Sequence, residues 1–397
     1  MKSLVVTLLF ASSLTVMAGA VIMPALPLIS DYFQEIPDID FYVRLMVTLP
    51  ALFTAIGSLI VGSLLNQFGR KPFLIGGLML YGASGGSVLG IDSLLGIMIG
   101  RALLGLSVGA VATSTTTLIA DNFSGEDRYR LLGFQGTFMQ LGGVVFIGAA
   151  GFLAEYYWRA PFAIYLISWL IAIAAWFFVS EPPSAVASGK LERARLSNVV
   201  PRAFRADFII LCLCGCFLMM VLYMLPTYMP FYLERKLEVG GLAVGLSLAA
   251  TNLCAAVAAS LYSRLRKLLG CHRILGVSSL LMGVGYLLIA NSEDYFDVVV
   301  AMLCFGVGWG FVIPNVMTWV NDLAYDHTRG MAVGILSMAF FLGQFISPFF
   351  FGSVFEYFSP RRGTIVVGML LFALAIGALF WSRAYQRILN ATNADVS

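Results

Sequence analysis

The sequence predicts an all-α integral membrane protein, with twelve transmembrane helices in two six-helix bundles related as a parallel repeat. Three observations carry that prediction. Hydrophobic residues fill 60% of the 397 positions and charged residues only 11%, with a mean hydropathy of +0.90, a composition foreign to soluble domains. Twelve apolar stretches each approach the ~20 residues that a helix needs to cross the hydrocarbon. Finally, the chain repeats itself 201 positions later without a gap: Gly105, Gly109, Thr117, Asp121, Arg128, Gly133, Leu141, Gly142, Gly151, Glu155 and Tyr156 return as Gly306, Gly310, Thr318, Asp322, Arg329, Gly334, Leu342, Gly343, Gly352, Glu356 and Tyr357. Gly69 returns as Gly270 at the same offset. In so apolar a chain glycine and leucine match by chance, but the Asp, Arg and Glu-Tyr pairs do so far less readily. A parallel repeat through apolar sequence is one way to build a transporter around a central pathway.

The spans fall at about 4–30, 43–66, 72–91, 93–120, 131–156, 159–179, 208–233, 241–262, 274–290, 298–320, 331–357 and 364–382, six in each half. The first begins with Lys2 and passes through Met17-Ala18-Gly19-Ala20, an outline shared with cleavable signal peptides. Cleavage would remove the repeat partner of the seventh span, so the first is expected to be retained. Gly105 and Gly109 on the fourth span, and Gly306, Gly308 and Gly310 on the tenth, are expected helix crossings, because close backbone approach replaces the hydrophobic force that lipid cannot supply. Between the sixth and seventh spans, Glu181-Pro-Pro and a run of Lys190, Arg193, Arg195, Arg202 and Arg205 break the apolar pattern. Residues 1–180 are therefore the N-terminal six-helix bundle, 181–206 a cytoplasmic linker, 207–383 the C-terminal six-helix bundle and 384–397 a cytoplasmic tail.

Charge placement sets the orientation. With both termini cytoplasmic, seventeen Lys and Arg residues lie on that side, and six (Arg44, Arg159, Arg235, Lys236, Arg361 and Arg362) lie on the other, as basic residues should. The remaining one, Arg101, is the only basic residue expected well inside a span. The net charge of +3 follows from this topology, and no basic cluster points to nucleic acid. Cys212, Cys214 and Cys216 are spaced by two, which fans them around a helix instead of converging them on a metal. His272 and His327 both fall in expected loops, so no metal site and no cofactor are predicted.

Between the second and third spans stands Gly62-Ser-Leu-Leu-Asn66-Gln-Phe-Gly69-Arg70-Lys71. Gly62 allows a close helix contact, Gly69 a tight turn, and Arg70-Lys71 hold the loop in the cytoplasm. This segment resembles the loop 2–3 signature of the major facilitator superfamily, G-x-L-a-D-r-x-G-R-[RK], with Asn66 in place of its Asp. Arg101 followed by Gly105 resembles the family's second motif. Gly142 and Gly151 resemble a worn antiporter motif, with Phe146 and Ile147 at its Gly-Pro positions. The resemblance spans nearly the whole chain and implies a two-bundle transporter. It also implies a conformational-switch role for Gly62, Asn66, Gly69, Arg70 and Lys71, and is closest to bacterial drug or metabolite exporters of the drug:H+ antiporter kind.

An ionisable group within hydrocarbon is costly enough to be a functional candidate by default. Arg101 qualifies, either holding a carboxylate or a substrate anion or snorkelling outward as an anchor. Asp31 and Glu155 are nearest to it in expected depth and are the candidate proton-titrating groups, with Glu356 mirroring Glu155. Those two glutamates are candidate gate latches or plain helix-end structure. Gln140, Gln344, Asn252 and Asn315 are candidate hydrogen-bonding contacts for substrate or interhelical bonds, while Tyr223 and Trp309 offer adaptable apolar lining.

The expected function is secondary active transport by alternating access, most readily export of amphipathic drugs or small metabolites. The partners are a small-molecule substrate, a coupling proton and the lipid of a cytoplasmic (inner) membrane, with the protein as a monomer. No phosphate-cradling loop suggests ATP as the drive, and no intramembrane His/Cys/carboxylate constellation suggests an enzyme. Import of a metabolite or anion, and a non-transporting receptor or scaffold with the same fold, remain the alternatives.

Overall fold

The computed structural model describes residues 2–123, 125–181, 199–200, 204–325 and 328–394, and every regular element among them is helical. Most of the linker expected at 181–206, together with His327 and the last residues of the tail, lies outside the described residues. The first crossing, α1 (Lys2–Tyr32), bends through a single 3-10 turn at Met23–Ala25, where Pro24 cannot donate to a continuous ladder. It is followed by α2 (Ile39–Phe68), α3 (Arg70–Gly86), α4 (Leu94–Asn122), α5 (Gly125–Ala154), α6 (Ala160–Phe178) and α7 (Arg205–Leu237). A helical stretch of 51 residues comes next, broken at Gly270, whose φ of 74° and ψ of 169° lie outside any helix. The break divides it into α8 (241–269) and α9 (271–291). The chain ends with α10 (Tyr295–Leu323), α11 (Arg329–Tyr357) and α12 (Pro360–Ala394). Among the described residues twelve membrane-length helices result once that stretch is divided at Gly270, and the protein is a multi-pass membrane protein.

Two compact units emerge from the packing. The first comprises Met1–Arg193 with Leu222–Ala249 and Ser337–Phe349, and the second comprises Ala194–Val221, Ala250–Leu336 and Phe350–Ser397. Small residues set the helix contacts within each. In the first unit, a Cβ on Gly105 would collide with the Pro50 carbonyl, and one on Gly109 would stand 2.6 Å from the Thr54 carbonyl, so α4 crosses α2 backbone against backbone. In the second, a Cβ on Gly306 would stand 2.5 Å from the Thr251 carbonyl and one on Gly310 would collide with that of Ala255. The partners themselves are 201 positions apart, Pro50 with Thr251 and Thr54 with Ala255, so the repeat extends from sequence to contact register.

One expectation changes. Arg44, counted among the outer-side charges and not among those well inside a span, lies in the second turn of α2, because that helix begins at Ile39. Arg101 is therefore not the sole arginine set within a membrane-length helix, since Arg44 lies within α2 as Arg101 does within α4.

Candidate functional site

Arg101 on α4 is 0% exposed, and its guanidinium reaches three other helices. Nε donates to the Met46 carbonyl of α2 at 3.1 Å, Nη2 to the Ala18 carbonyl of α1 at 2.6 Å, and Nη1 to the Tyr165 hydroxyl of α6 at 2.9 Å. Tyr165 donates in turn to the same Ala18 carbonyl at 2.9 Å, and Tyr81 of α3 donates to the Leu14 carbonyl at 2.6 Å. A buried charge is tolerable only when its donors are matched, and here backbone carbonyls do the matching. Neither Asp31 nor Glu155, the expected partners, reaches Arg101. The arrangement brackets α4 to α1, α2 and α6. In the second unit the repeat position is Met302, also 0% exposed.

Gly69 sits between α2 and α3 with φ 87° and ψ 167°. Its turn presents the first backbone N–H groups of α3 to the Glu181 carboxylate, which accepts from Arg70 at 2.6 Å and from Lys71 at 2.8 Å. A carboxylate at the positive end of a helix dipole is favourable, and this one satisfies two donors that a helix start leaves orphaned. Arg70 is buried and its Nε meets Asp121 Oδ2 at 3.0 Å, while the Lys71 ammonium donates to the Trp176 carbonyl at 2.8 Å. The motif thus joins α2, α3, α4 and the end of α6. Gly62 makes only ordinary contact with Thr113, and the Asn66 side chain lies outside the described residues.

At the opposite ends of these helices the first unit concentrates charge. Arg235, in the last turn of α7, gives Nη2 to Asp31 Oδ1 and Ser30 Oγ, each at 3.1 Å, and Nη1 to Asp40 Oδ2 at 3.0 Å. Ser30 also donates to Asp40. Glu155, just past α5, accepts from the Leu242 N–H in the first turn of α8 at 3.2 Å. Behind it α5 and α8 touch through glycine: a Cβ on Gly151 would lie 2.7 Å from the Gly241 carbonyl. Glu234, beside Arg235, is half-buried and makes no hydrogen bond among the described residues. Arg159, in the loop between α5 and α6, pairs with Asp92. Burial works against its charge, but its hydrogen bond to Asp92 and the charges of Tyr157, Asp92 and Tyr32 outweigh that and hold its pKa above the ordinary guanidinium value.

The other candidates divide between the units. Gln140, Gln344 and Tyr223 belong to the first, where both glutamine side chains are half-buried and hydrogen-bonded to no described residue. Asn252, Asn315 and Trp309 belong to the second. Asn315 is 0% exposed and donates to the Cys271 carbonyl at 3.0 Å, in line with an interhelical bond from α10 to α9. Nearby, Arg266 donates to the Tyr262 hydroxyl at 2.7 Å and pairs with Asp322. Trp309 is buried on α10, and the Glu356 side chain lies outside the described residues. His272, expected in a loop, is on α9 against Trp319, with ring centroids 4.2 Å apart. Among the described residues no group of His, Cys, Asp and Glu is disposed to hold a metal.

Sequence reasoning missed Arg235, Asp40, Glu234, Glu181 and Tyr165. In the sequence Glu181 reads as the start of a linker and Arg235 as one of six outer charges, and neither reading carries information about a partner distant in the chain. A signal was present in Arg44 and Arg235, each close to an aromatic residue at helical spacing, Phe41 and Phe231.

A model of the Major Facilitator Superfamily matches residues 8–348. The chain is 22% identical over 383 residues to the Quinolone resistance protein NorA of Staphylococcus aureus (strain COL), covering 95% of this chain and 96% of that protein. It is 24% identical over 393 residues to the class H Tetracycline resistance protein of Pasteurella multocida, covering 96% and 97%. Among solved structures, a D-xylose-proton symporter shares the fold with a TM-score of 0.80 at 16% identity, covering 95% of this chain and 97% of that one. A bacterial homologue of the human lysosomal transporter Spinster does so at 0.76 and 16%, with 96% of each chain covered.

Proposed function

The chain belongs to the major facilitator superfamily and is a membrane transporter, and from that premise we propose that it exports amphipathic drugs or small metabolites against a proton gradient. The observation that carries this reading is the pair of matches to a quinolone and a tetracycline resistance protein, each running almost end to end through both chains. In this reading the protein sits in the cytoplasmic membrane as a monomer with both termini inside and works by alternating access. Gln140, Gln344, Asn252, Tyr223 and Trp309 supply substrate contacts. Glu155 at α8, and Arg235 with Asp31 and Asp40, act as latches that must part when the outer face opens. Asp31 and Asp40 hold the Arg235 guanidinium, and Glu234, half-buried and without a hydrogen bond among the described residues, is in this proposal the carboxylate that exchanges the proton.

The test is flux in proteoliposomes under an imposed pH gradient, with a fluorescent quinolone and tetracycline as separate probes. Gradient-driven accumulation is expected with the wild-type protein. Glu234→Gln should lower it by about tenfold, the scale of a typical coupling free energy, while leaving gradient-free exchange in place. If neither probe moves under any ion gradient, drug export is wrong. If both move but E234Q is as proton-driven as wild type, only the assignment of Glu234 is wrong.

A further inference from the structure

Among the described residues Arg44 is a charge without a counter-charge. It lies on α2 with its guanidinium carbon 4.5 Å from the centroid of the Tyr228 ring and 5.7 Å from that of Phe231, both on α7 and in the same unit. Its Nε is enclosed and meets no acceptor, and among the described residues its guanidinium makes no hydrogen bond or ion pair. The carboxylate best placed to help, Asp40, is one turn earlier on the same helix, but its oxygens are already engaged by Arg235 and Ser30. Arg235 also stands over Phe231, at 5.1 Å, so one ring lies near two arginines, of which only Arg235 is neutralised.

Stacking fixes what Arg44 can recognise. A guanidinium laid on an aromatic face is held by its π surface, which leaves its in-plane N–H fork for an acceptor, and a carboxylate fits that fork in a bidentate manner. One turn along α2, Phe41 meets Phe349 with ring centroids 5.2 Å apart, and Phe349 meets Phe345 at 5.4 Å, so aromatic surface continues beside the charge. We infer that Arg44, Tyr228 and Phe231 form a binding site for a planar aromatic carboxylate. The carboxylate lies on the Arg44 fork and the ring rests on this aromatic surface. The inference rests on the transporter reading and gives a substrate class to it. Pro226 and Pro230 bracket Tyr228 within α7 and weaken that helix's own ladder there, so the site is built on a segment able to bend as it loads.

The test is equilibrium binding to the purified full-length protein in nanodiscs, with 2-naphthoate and its neutral amide, 2-naphthamide, as probes. Wild type should prefer naphthoate by about tenfold, the scale of one good charge-assisted pair. Arg44→Gln should bring the two probes level, and Arg44→Lys should retain a smaller preference. Equal binding of both probes to wild type, or a preference undiminished in R44Q, overturns the site. Acetate displacing naphthoate at equal concentration overturns its aromatic half. Should R44Q not fold, hydrogen exchange on the wild type decides: naphthoate, and not naphthamide, should protect amides around 41–48 and 228–235, and protection elsewhere overturns the proposal. These readouts need no flux, so a failed export assay and a failed binding assay are separate results.

Discussion

Arg101 shows how a membrane interior can hold a full charge with no carboxylate near it among the described residues. Its three hydrogen bonds go to two backbone carbonyls and a tyrosine hydroxyl, and the ring of Tyr165 lies 5.6 Å from the guanidinium carbon. Sequence alone flagged the residue, since an arginine in hydrocarbon needs a reason. It could not reveal the reason, because carbonyl acceptors have no residue identity to read. The geometry makes a stability prediction: Arg101→Met, the residue that the repeat itself carries at Met302, should destabilise the protein by about 2–4 kcal/mol through lost charged hydrogen bonds. R101K should fare little better, since an ammonium cannot span three acceptors set for a fork. Thermal unfolding in detergent, followed by tryptophan fluorescence, measures this. An R101M protein as stable as wild type but inactive in flux would place Arg101 against substrate instead.

Helix ends explain what the loop motif does. The positive start of α3 is turned toward the end of α6 by the Gly69 turn, and Glu181 closes it with two short bonds. The sequence supplied Gly69, Arg70 and Lys71 with a turn and an orientation. It supplied no sign of Glu181, which read as the first residue of a polar linker, because pairing across more than a hundred positions leaves no local pattern. Glu181→Ala should cost about 1 kcal/mol, the usual scale of a lost helix-start cap, and Glu181→Gln less, since its amide oxygen still accepts one bond. High salt should narrow the difference between wild type and E181Q, for the charge is exposed and screened. Equal melting temperatures for all three proteins at low salt would show that the cap adds nothing.

Across the whole molecule the repeat is a matter of backbone and contact register more than of chemistry. Gly69 and Gly270 have φ 87° and 74° with ψ 167° and 169°, the same unusual turn built twice. Crossings at Gly105 and Gly306 meet equivalent carbonyls, and Asp121 and Asp322 each pair with an arginine. The arginines differ, however: Arg70 follows its glycine, whereas Arg266 precedes its own by one helical turn, and Cys271 occupies the place equivalent to Arg70. Spans, repeat and glycine crossings were legible because they depend on composition and spacing. The charge networks were not, because they arise where the copies diverge. That divergence predicts unequal outcomes from one substitution. Alanine at either glycine must enter a region of φ and ψ open essentially to glycine alone, a strain of about 1–3 kcal/mol. At Gly270 nothing lies within 4 Å of the added carbon, so strain is the whole cost. At Gly69 the carbon would stand 3.0 Å from the Glu181 carboxylate and push it off the α3 start, adding the loss of the cap. Gly69→Ala should therefore lower the melting temperature further than Gly270→Ala, and the gap should close when both are made in an E181A background. A gap that persists there would mean that Glu181 is not the source of the asymmetry.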